Sequence, residues 1–181
     1  MKLLLRENTR SETDKKMEMK KIIVLLIAGL GLSFAASAQL PQMELKDIDG
    51  KTVQVNELSD GQHPLIISFF ATWCHPCMRE LSAIHEVYED WQEETGVRLV
   101  AVSIDKSSNV MKVKPLVRSK GWNYEVLLDT NQSFSRALNV TLIPSVFLLD
   151  KTGKIVYRHQ GYVEGNEDEL YEEVLKLVEC Q

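Results

Sequence analysis

The sequence predicts an α/β sandwich in which a central mixed β-sheet is flanked by helices. Between residues 64 and 138, apolar runs typical of buried strands alternate with amphipathic stretches typical of helices. The rest of the chain has the pattern of an antiparallel strand pair and a final helix, which makes the sheet mixed. A length of 181 residues, with 44% hydrophobic and 26% charged residues, fits one ordinary globular domain.

Residues 1–38 are predicted to lie outside the fold, as an N-terminal extension and secretory signal peptide. Two lysines precede the apolar run Ile22–Phe34, and a small-x-small sequence ends at Ala38. The run is shorter than the roughly 20 residues that a membrane-spanning helix needs. We therefore expect cleavage after Ala38 and a domain of residues 39–181 in the periplasm or otherwise exported. The alternative is an uncleaved N-terminal segment that anchors the protein to the membrane.

The domain is predicted to open with a hairpin, a central strand and a long helix. Two alternating runs flank Asp49-Gly50, a dipeptide typical of a primed hairpin turn. Pro64–Phe70 is a continuous apolar run, as expected for a strand buried on both faces. The helix that follows ends near Gly96, and its apolar stripe consists of Leu81, Ile84, Tyr88 and Trp91.

The later elements continue the alternation. A helix from Asn109 to Lys120, interrupted by Pro115, is predicted between strands at residues 97–104 and 124–128. A short helix Gln132–Leu138 comes next, and then an antiparallel pair that turns at residues 151–153. The last helix begins at Asn166, and its apolar stripe consists of Leu170, Val174, Leu177 and Val178.

Cys74 and Cys77 stand two residues apart at the predicted junction between the central strand and the long helix. A structural framework in an exported domain usually has an even set of four or more cysteines, whereas this chain has three. A structural zinc needs four ligands, and no second Cys-x-x-Cys or His-x-x-x-His follows. The spacing therefore favours a redox-active disulfide pair with no cofactor and no resident metal. Cys180 is interpreted as a spare thiol.

The helix start predicts different roles for the two cysteines. Unpaired backbone N–H groups and the helix dipole stabilise the Cys74 thiolate, and His75 can add a donor or a charge. Pro76 is tolerated in the first turn and helps to hold the sulfurs within bonding reach. Cys77 lies one turn inward and should be the more shielded sulfur. We therefore predict that Cys74 attacks a substrate disulfide and that Cys77 resolves the mixed disulfide.

The segments "FFATWCHPC" and "TLIPSVFLLDKTGKIVYRHQGY" resemble the thioredoxin superfamily and, within it, the exported TlpA/ResA-like thiol-disulfide oxidoreductases. The resemblance covers nearly all of residues 39–181. It implies a thioredoxin-like sandwich with an N-terminal hairpin and a central strand-helix insertion near residues 97–120. It also implies protein substrates with dithiols or disulfides, and an upstream redox partner that can be membrane-bound. Cytochrome c biogenesis, through apocytochrome cysteines, is the best known role of such proteins. We expect a monomer.

The same resemblance assigns roles to further residues. It implies that Ile143-Pro144 is a cis-proline peptide facing the cysteines, and that Trp73 is an aromatic lid beside them. Together with His75 and Pro76, these residues are the predicted substrate-binding set. Thioredoxin carries a buried aspartate at the position of Ser68, so another acid is needed. Glu80 matches the glutamate of TlpA/ResA-like proteins near the resolving cysteine, and it is predicted to take the proton from Cys77.

The predicted function is thiol-disulfide exchange with protein substrates, with reduction favoured over oxidation. A dithiol oxidase and a thiol-based Cu(I) metallochaperone are the alternatives, although copper-chaperone relatives space their cysteines by three residues. Peroxidase chemistry is disfavoured because the peroxidatic loop has a different motif. His63, His85 and His159 are interpreted as surface or satisfied histidines. The formal net charge of -5 provides no basic field for nucleic acid.

Overall fold

The computed structural model describes residues 40–179, and within this range the chain forms seven strands and four helices. The strands, β1 to β7 in order, are Glu44–Asp47, Thr52–Gln54, Leu65–Phe70, Arg98–Ser103, Glu125–Leu128, Ser145–Leu149 and Ile155–Gln160. The helices, α1 to α4, are His75–Thr95, Val113–Lys120, Ser133–Ala137 and Asn166–Glu179. The predicted signal peptide and Cys180 lie outside the described residues.

The strands form one mixed sheet with the order β2-β1-β5-β4-β3-β6-β7. The three middle strands β5, β4 and β3 are parallel, and an antiparallel pair extends the sheet on each side. All six residues of β3 are buried, which confirms the prediction of a central strand covered on both faces. The predicted insertion supplies β4 and α2, and β4 lies between β3 and β5.

Helices cover both faces of the sheet, as the sequence predicts. Ile66 and Phe70 of β3 belong to a core that includes buried residues of α1, α2 and α4. Ile67 and Phe69 point to the opposite face, where they belong to a second core with Phe134 of α3 and the N-terminal segment. This alternation follows from the two-residue period of a strand. The alternation therefore determines which side chains of β3 lie beneath α1.

Helix α1 begins at the cysteine pair and buries its predicted apolar stripe. Leu81, Ile84, Tyr88 and Trp91 are all buried. Gly96 ends the helix with a left-handed backbone (φ 70°), and its N–H donates to the Gln92 carbonyl. A left-handed cap of this kind favours glycine because a Cβ atom would be strained there.

Two local predictions are corrected. The first hairpin turns through three residues, because the Gly50 N–H donates to the Asp47 carbonyl and Gly50 takes φ 89°. The predicted two-residue primed turn at Asp49-Gly50 is therefore wrong. Pro115 does not interrupt its helix. It lies in the first turn of α2, after a 3-10 turn at Val110–Lys112, where a missing backbone N–H costs little.

Candidate active site

The two cysteines lie where β3 gives way to α1. Cys74 is the N-cap residue of α1, and a disulfide of 2.06 Å joins its sulfur to that of Cys77. The Sγ atom of Cys74 also accepts from the backbone N–H of Cys77, with an N to S distance of 3.3 Å. The attacking sulfur predicted from the sequence therefore receives a donor from the first turn of the helix, which favours its anionic form.

The two sulfurs are shielded to different extents. Cys77 is fully buried, whereas Cys74 keeps 5% of its surface exposed. His75 and Pro76 occupy the first two positions of α1, and the His75 side chain is exposed. The order of exposure agrees with an attacking Cys74 and a resolving Cys77, but those chemical roles remain predictions.

A loop that is distant in sequence faces the disulfide. The peptide bond Ile143-Pro144 is cis, as the family resemblance implied. The carbonyl oxygen of Ile143 lies 3.9 Å from the Sγ atom of Cys74. Pro144, directly before β6, is buried, whereas Ile143 is partly exposed. The slightly exposed Cys74 thus lies beside the backbone of this loop.

An apolar groove of about 530 Å³ runs beside Cys74. Its walls bring together four of the five predicted substrate-binding residues, namely Trp73, His75, Pro76 and Ile143, and add Ile104, Val140, Thr141 and Leu142. Pro144 does not contribute to this lining among the residues described. Trp73 is 64% exposed and Leu142 56% exposed, so neither is an ordinary core residue. The groove therefore presents apolar surface next to Cys74.

The loop that carries Trp73 is held by a residue that the sequence analysis missed. Asp105, buried after β4, accepts from the backbone N–H and the hydroxyl of Thr72, each at 2.8 Å. The Ser103 hydroxyl donates to the same carboxylate at 2.9 Å. The signal that could have revealed Asp105 is an acidic residue directly after a buried parallel strand, at the edge where β3 also ends.

Glu80 is buried one helical turn after Cys77. Its exposure is only 1%, so it is not a solvated residue of the helix surface. Oε2 accepts from the Ser68 hydroxyl at 3.0 Å, and Oε1 lies 3.0 Å from Nε2 of His159. Burial raises the pKa of the Glu80 carboxyl, and the contacts with His159 and Ser68 oppose that rise. Such a carboxyl is suited to exchanging a proton with a neighbouring thiol.

The contact between His159 and Glu80 was not predicted. His159 lies on β7, and only 15% of its side chain is exposed. Ser68 and His159 both pair with Val146 of β6, so they form one row across three strands. Alternate residues of a strand point to the same face, so His159 lies on the same face of β7 as Tyr157. A polar residue on that face is the feature of the sequence that could have indicated the contact. By contrast, His63 is partly exposed and its ring contacts Asp60.

The part of the chain that the structure describes contains no group of three or more histidine, cysteine, aspartate or glutamate side chains arranged to hold a metal ion. Within residues 40–179, no helix is both long and apolar enough to cross a membrane. Glu80, Ser68 and His159 form a hydrogen-bonded cluster between α1 and the sheet.

Comparison with known proteins agrees with this geometry. A model of the AhpC/TSA family matches residues 36–158, which is more than half of the chain. The chain belongs to the AhpC/TSA family. Within that family its motif is Trp73-Cys74-His75-Pro76-Cys77, in which both cysteines lie at the start of one helix.

Individual relatives of the AhpC/TSA family refine the assignment. Thiol-disulfide oxidoreductase ResA of Bacillus subtilis is 29% identical over 146 residues, which cover 75% of this chain and 79% of ResA. The solution structure of a thioredoxin-like protein from Porphyromonas gingivalis is 63% identical with a TM-score of 0.71. That match covers 78% of this chain and 93% of the other. The structure of dsbF from MTB is 25% identical with a TM-score of 0.63, over 75% and 95% of the two chains.

These relatives confirm the resemblance stated from the sequence. The protein is a TlpA/ResA-like member of the thioredoxin superfamily and a thiol-disulfide oxidoreductase.

Proposed function

We propose that the protein is an exported thiol-disulfide oxidoreductase that reduces disulfides in protein substrates through Cys74 and Cys77. The observation that carries this proposal is the position of Cys74 at the N-terminus of α1, where it is joined to Cys77 and lies 3.9 Å from the carbonyl oxygen of Ile143. An accessible sulfur, a shielded partner sulfur and a neighbouring groove are what thiol-disulfide exchange with a peptide requires.

The reaction begins with the reduced protein. The Cys74 thiolate attacks one sulfur of a substrate disulfide, a Cys74-substrate bond forms, and the other substrate sulfur leaves as a thiolate that takes a proton from water. Cys77 then attacks the Cys74 sulfur, which forms the Cys74–Cys77 disulfide and expels the second substrate sulfur. The substrate gains two electrons, and the cysteine pair loses them.

Glu80 accepts the proton that Cys77 loses in the second step. The two residues are one helical turn apart on α1 and both are buried, so water does not provide an easy route for that proton. A buried carboxyl on the same helix assists the step in which Cys77 attacks, and that step completes reduction of the substrate. The same group assists the reverse step, so the proposed direction, reduction, depends on the reduction potential of the cysteine pair.

The test of this proposal is single-turnover reduction of a disulfide-bonded protein by the wild type and by Glu80→Gln. The variant is expected to be slower on the order of 100-fold, the usual effect of removing a positioned base, and to lose the pH dependence of the second step. Glu86→Gln, an exposed glutamate on the same helix, is the matched control. An unchanged rate and pH profile in Glu80→Gln would remove Glu80 from the mechanism.

The direction of electron flow is tested by the reduction potential. Equilibration with glutathione is expected to give a value more negative than roughly -200 mV, closer to thioredoxin at about -270 mV than to DsbA at about -120 mV. His75 acts in the opposite sense because a donor beside Cys74 stabilises the reduced form. A value near that of DsbA would favour the alternative, a dithiol oxidase.

Export is proposed from residues 1–38 alone, which have the pattern of a secretory signal peptide. N-terminal sequencing of protein recovered from the exported fraction is expected to begin at Gln39. A chain that retains the apolar run Ile22–Phe34 and sediments with membranes would indicate the uncleaved anchor instead. Redox partner proteins are expected at the same location, including an upstream electron donor for the Cys74–Cys77 pair.

A further inference from the structure

The carboxylate of Glu80 is held from two sides by side chains of the sheet. Ser68 on β3 and His159 on β7 pair with the same residue of β6, Val146, so the sheet presents both in one row. Glu80 contacts the two with different oxygens. Oε2 accepts from the Ser68 hydroxyl, and Oε1 lies 3.0 Å from Nε2 of His159.

The surroundings of the His159 ring favour one arrangement of its protons. Nε2 faces a carboxylate oxygen and hydrogen-bonds to it when it carries the proton. Nδ1 is buried, and within residues 40–179 no hydrogen-bond partner faces it. A proton on Nδ1 alone would leave a buried donor unpaired and would place a bare nitrogen against the carboxylate, which is unfavourable on both sides of the ring. His159 therefore acts as an Nε2–H donor to Oε1.

The two contacts differ in what happens when the carboxylate gains a proton. The Ser68 hydroxyl can donate to a carboxylate oxygen or, after rotation, accept from a protonated one. The Nε2–H of His159 can only donate unless the ring changes its tautomer. Oε1 is therefore kept as an acceptor in both states, and Oε2 is the oxygen that can take a proton without losing a hydrogen bond.

We propose that His159 is a positioning residue for proton transfer at Cys77: its Nε2–H holds Oε1 of Glu80 as an acceptor and directs the proton from Cys77 to Oε2. This inference rests on the proposed role of Glu80 as the proton acceptor. The polar contact of His159 is with Glu80, so it acts on Cys77 through Glu80. Because hydrogen bonding to the ionised form favours that form, His159 also keeps more of Glu80 ready to accept a proton.

Three other titratable residues lie near Glu80 and His159, and none of them hydrogen-bonds to either side chain among residues 40–179. The Tyr124 hydroxyl donates to the Leu81 carbonyl, and Glu167 at the start of α4 accepts from the Tyr162 hydroxyl. Tyr157 packs its ring against His159 with 5.8 Å between centroids. Glu167 acts on Glu80 only through its charge and raises the pKa of Glu80.

The test uses reduced protein and an aromatic disulfide whose thiolate is coloured, followed by stopped flow across pH. The first coloured thiolate reports attack by Cys74, and the second reports resolution by Cys77. His159→Leu is expected to move the pH midpoint of the second phase upward by about one pH unit and to leave the first phase unchanged. His159→Gln, which keeps an N–H donor, should recover part of the shift. Tyr157→Phe, on the same strand and face, should behave as wild type.

An independent readout is the carboxyl titration of Glu80 by ¹³C NMR, assigned through its loss in Glu80→Gln. The midpoint is expected to rise in His159→Leu, and to change less in Ser68→Ala because that hydroxyl supports both protonation states. The reverse order would overturn the assignment of the proton to Oε2. An unmoved midpoint in His159→Leu would overturn the inference itself.

The two proposals fail in different ways. If Glu80→Gln leaves the second phase unchanged, the role of Glu80 in the proposed function is wrong, and the inference about His159 falls with it. If Glu80→Gln slows the second phase but His159→Leu alters neither its rate nor its pH midpoint, only the role of His159 is wrong. In the double variant Glu80→Gln/His159→Leu, the second substitution is expected to have no further effect on the pH profile.

Discussion

The sulfur of Cys74 lies 3.9 Å from the carbonyl oxygen of Ile143, a residue 69 positions later in the chain. The fold creates this proximity by ending β3 and beginning β6 at neighbouring points of the sheet, since Phe69 pairs with Ser145. A substrate that reaches Cys74 must therefore pass the Ile143 backbone and the apolar side chains around it. The following predictions concern that surface and the buried groups behind it.

Leu142→Ser is expected to weaken the binding of protein substrates. Leu142 is 56% exposed in the groove, so covering it with substrate removes about half of a leucine side chain from water. We expect KM for a disulfide-bonded protein to rise roughly threefold to tenfold, with kcat for a small aromatic disulfide unchanged. Met111→Ser is the matched control, because Met111 is 82% exposed but lies outside this groove. Equal effects of the two substitutions would contradict a docking role for the groove.

In the reduced protein, the Cys74 thiol is expected to ionise well below the ~8.5 of a free cysteine. The cause is its position as the N-cap of α1, where the Cys77 N–H points at its sulfur. Alkylation over a range of pH, followed by peptide mapping, measures the two cysteines separately. An apparent pKa for Cys74 at or above that of a free cysteine would exclude it as the attacking group.

Glu80 is expected to make stability depend on pH. Burial raises the pKa of Glu80, so between the unfolded-state pKa of about 4.3 and the higher native value the native state holds a proton that the unfolded state has lost. The extra proton stabilises the native state, and this contribution is fully present below that pH window. It is lost as pH rises through the window, where the free energy of unfolding falls by up to ~1.4 kcal/mol per pH unit.

Glu80→Gln lacks this titration, and its amide can still bond to Ser68 and His159. Urea unfolding of both proteins in the disulfide form is therefore expected to show wild-type stability falling relative to the variant as pH rises from about 4. At neutral pH the variant should be at least as stable as the wild type. A difference that is constant with pH would show that the native pKa of Glu80 is not raised.

Ser68→Asp is expected to restore part of the activity lost in Glu80→Gln. Position 68 lies beneath α1 and hydrogen-bonds directly to the Glu80 carboxylate, so an aspartate there places a carboxyl in the same buried cluster. Rates of the resolving step should recover by a measurable fraction of the loss. Ser68→Asn, similar in size but unable to take a proton, is the control, and equal recovery by both would contradict proton acceptance as the cause.

The sequence predicted those helices, strands and turns well that a repeating apolar pattern or a local turn motif determines. The apolar stripe of α1, the mostly apolar run of β3 and the turn at residues 151–153 are local patterns, and each has its counterpart in the structure. Pro115 was misjudged because a proline is destabilising inside a helix but not in its first turn, and the position of that turn is not evident from the residue itself.

The site was only partly predictable for a similar reason. Cys74 and Cys77 are close in sequence at the start of one helix, so a spacing argument reaches them, and the family resemblance pointed to Glu80 one turn further on. His159 is 79 residues from Glu80, and their contact depends on the register of three strands. Asp105 likewise reaches Thr72 only because β3 and β4 end side by side. Pairings of this kind are set by tertiary packing rather than by local pattern.

The most direct test of the central claim is the capture of mixed disulfides by single-cysteine variants. Cys77→Ser is expected to accumulate substrate proteins bound through Cys74, because the attack still occurs and the resolving sulfur is gone. Cys74→Ser should capture few or none, since Cys77 is fully buried. Non-reducing gels and mass spectrometry of the linked peptides measure both. Capture through Cys77 in the Cys74→Ser variant, with none in Cys77→Ser, would contradict the account.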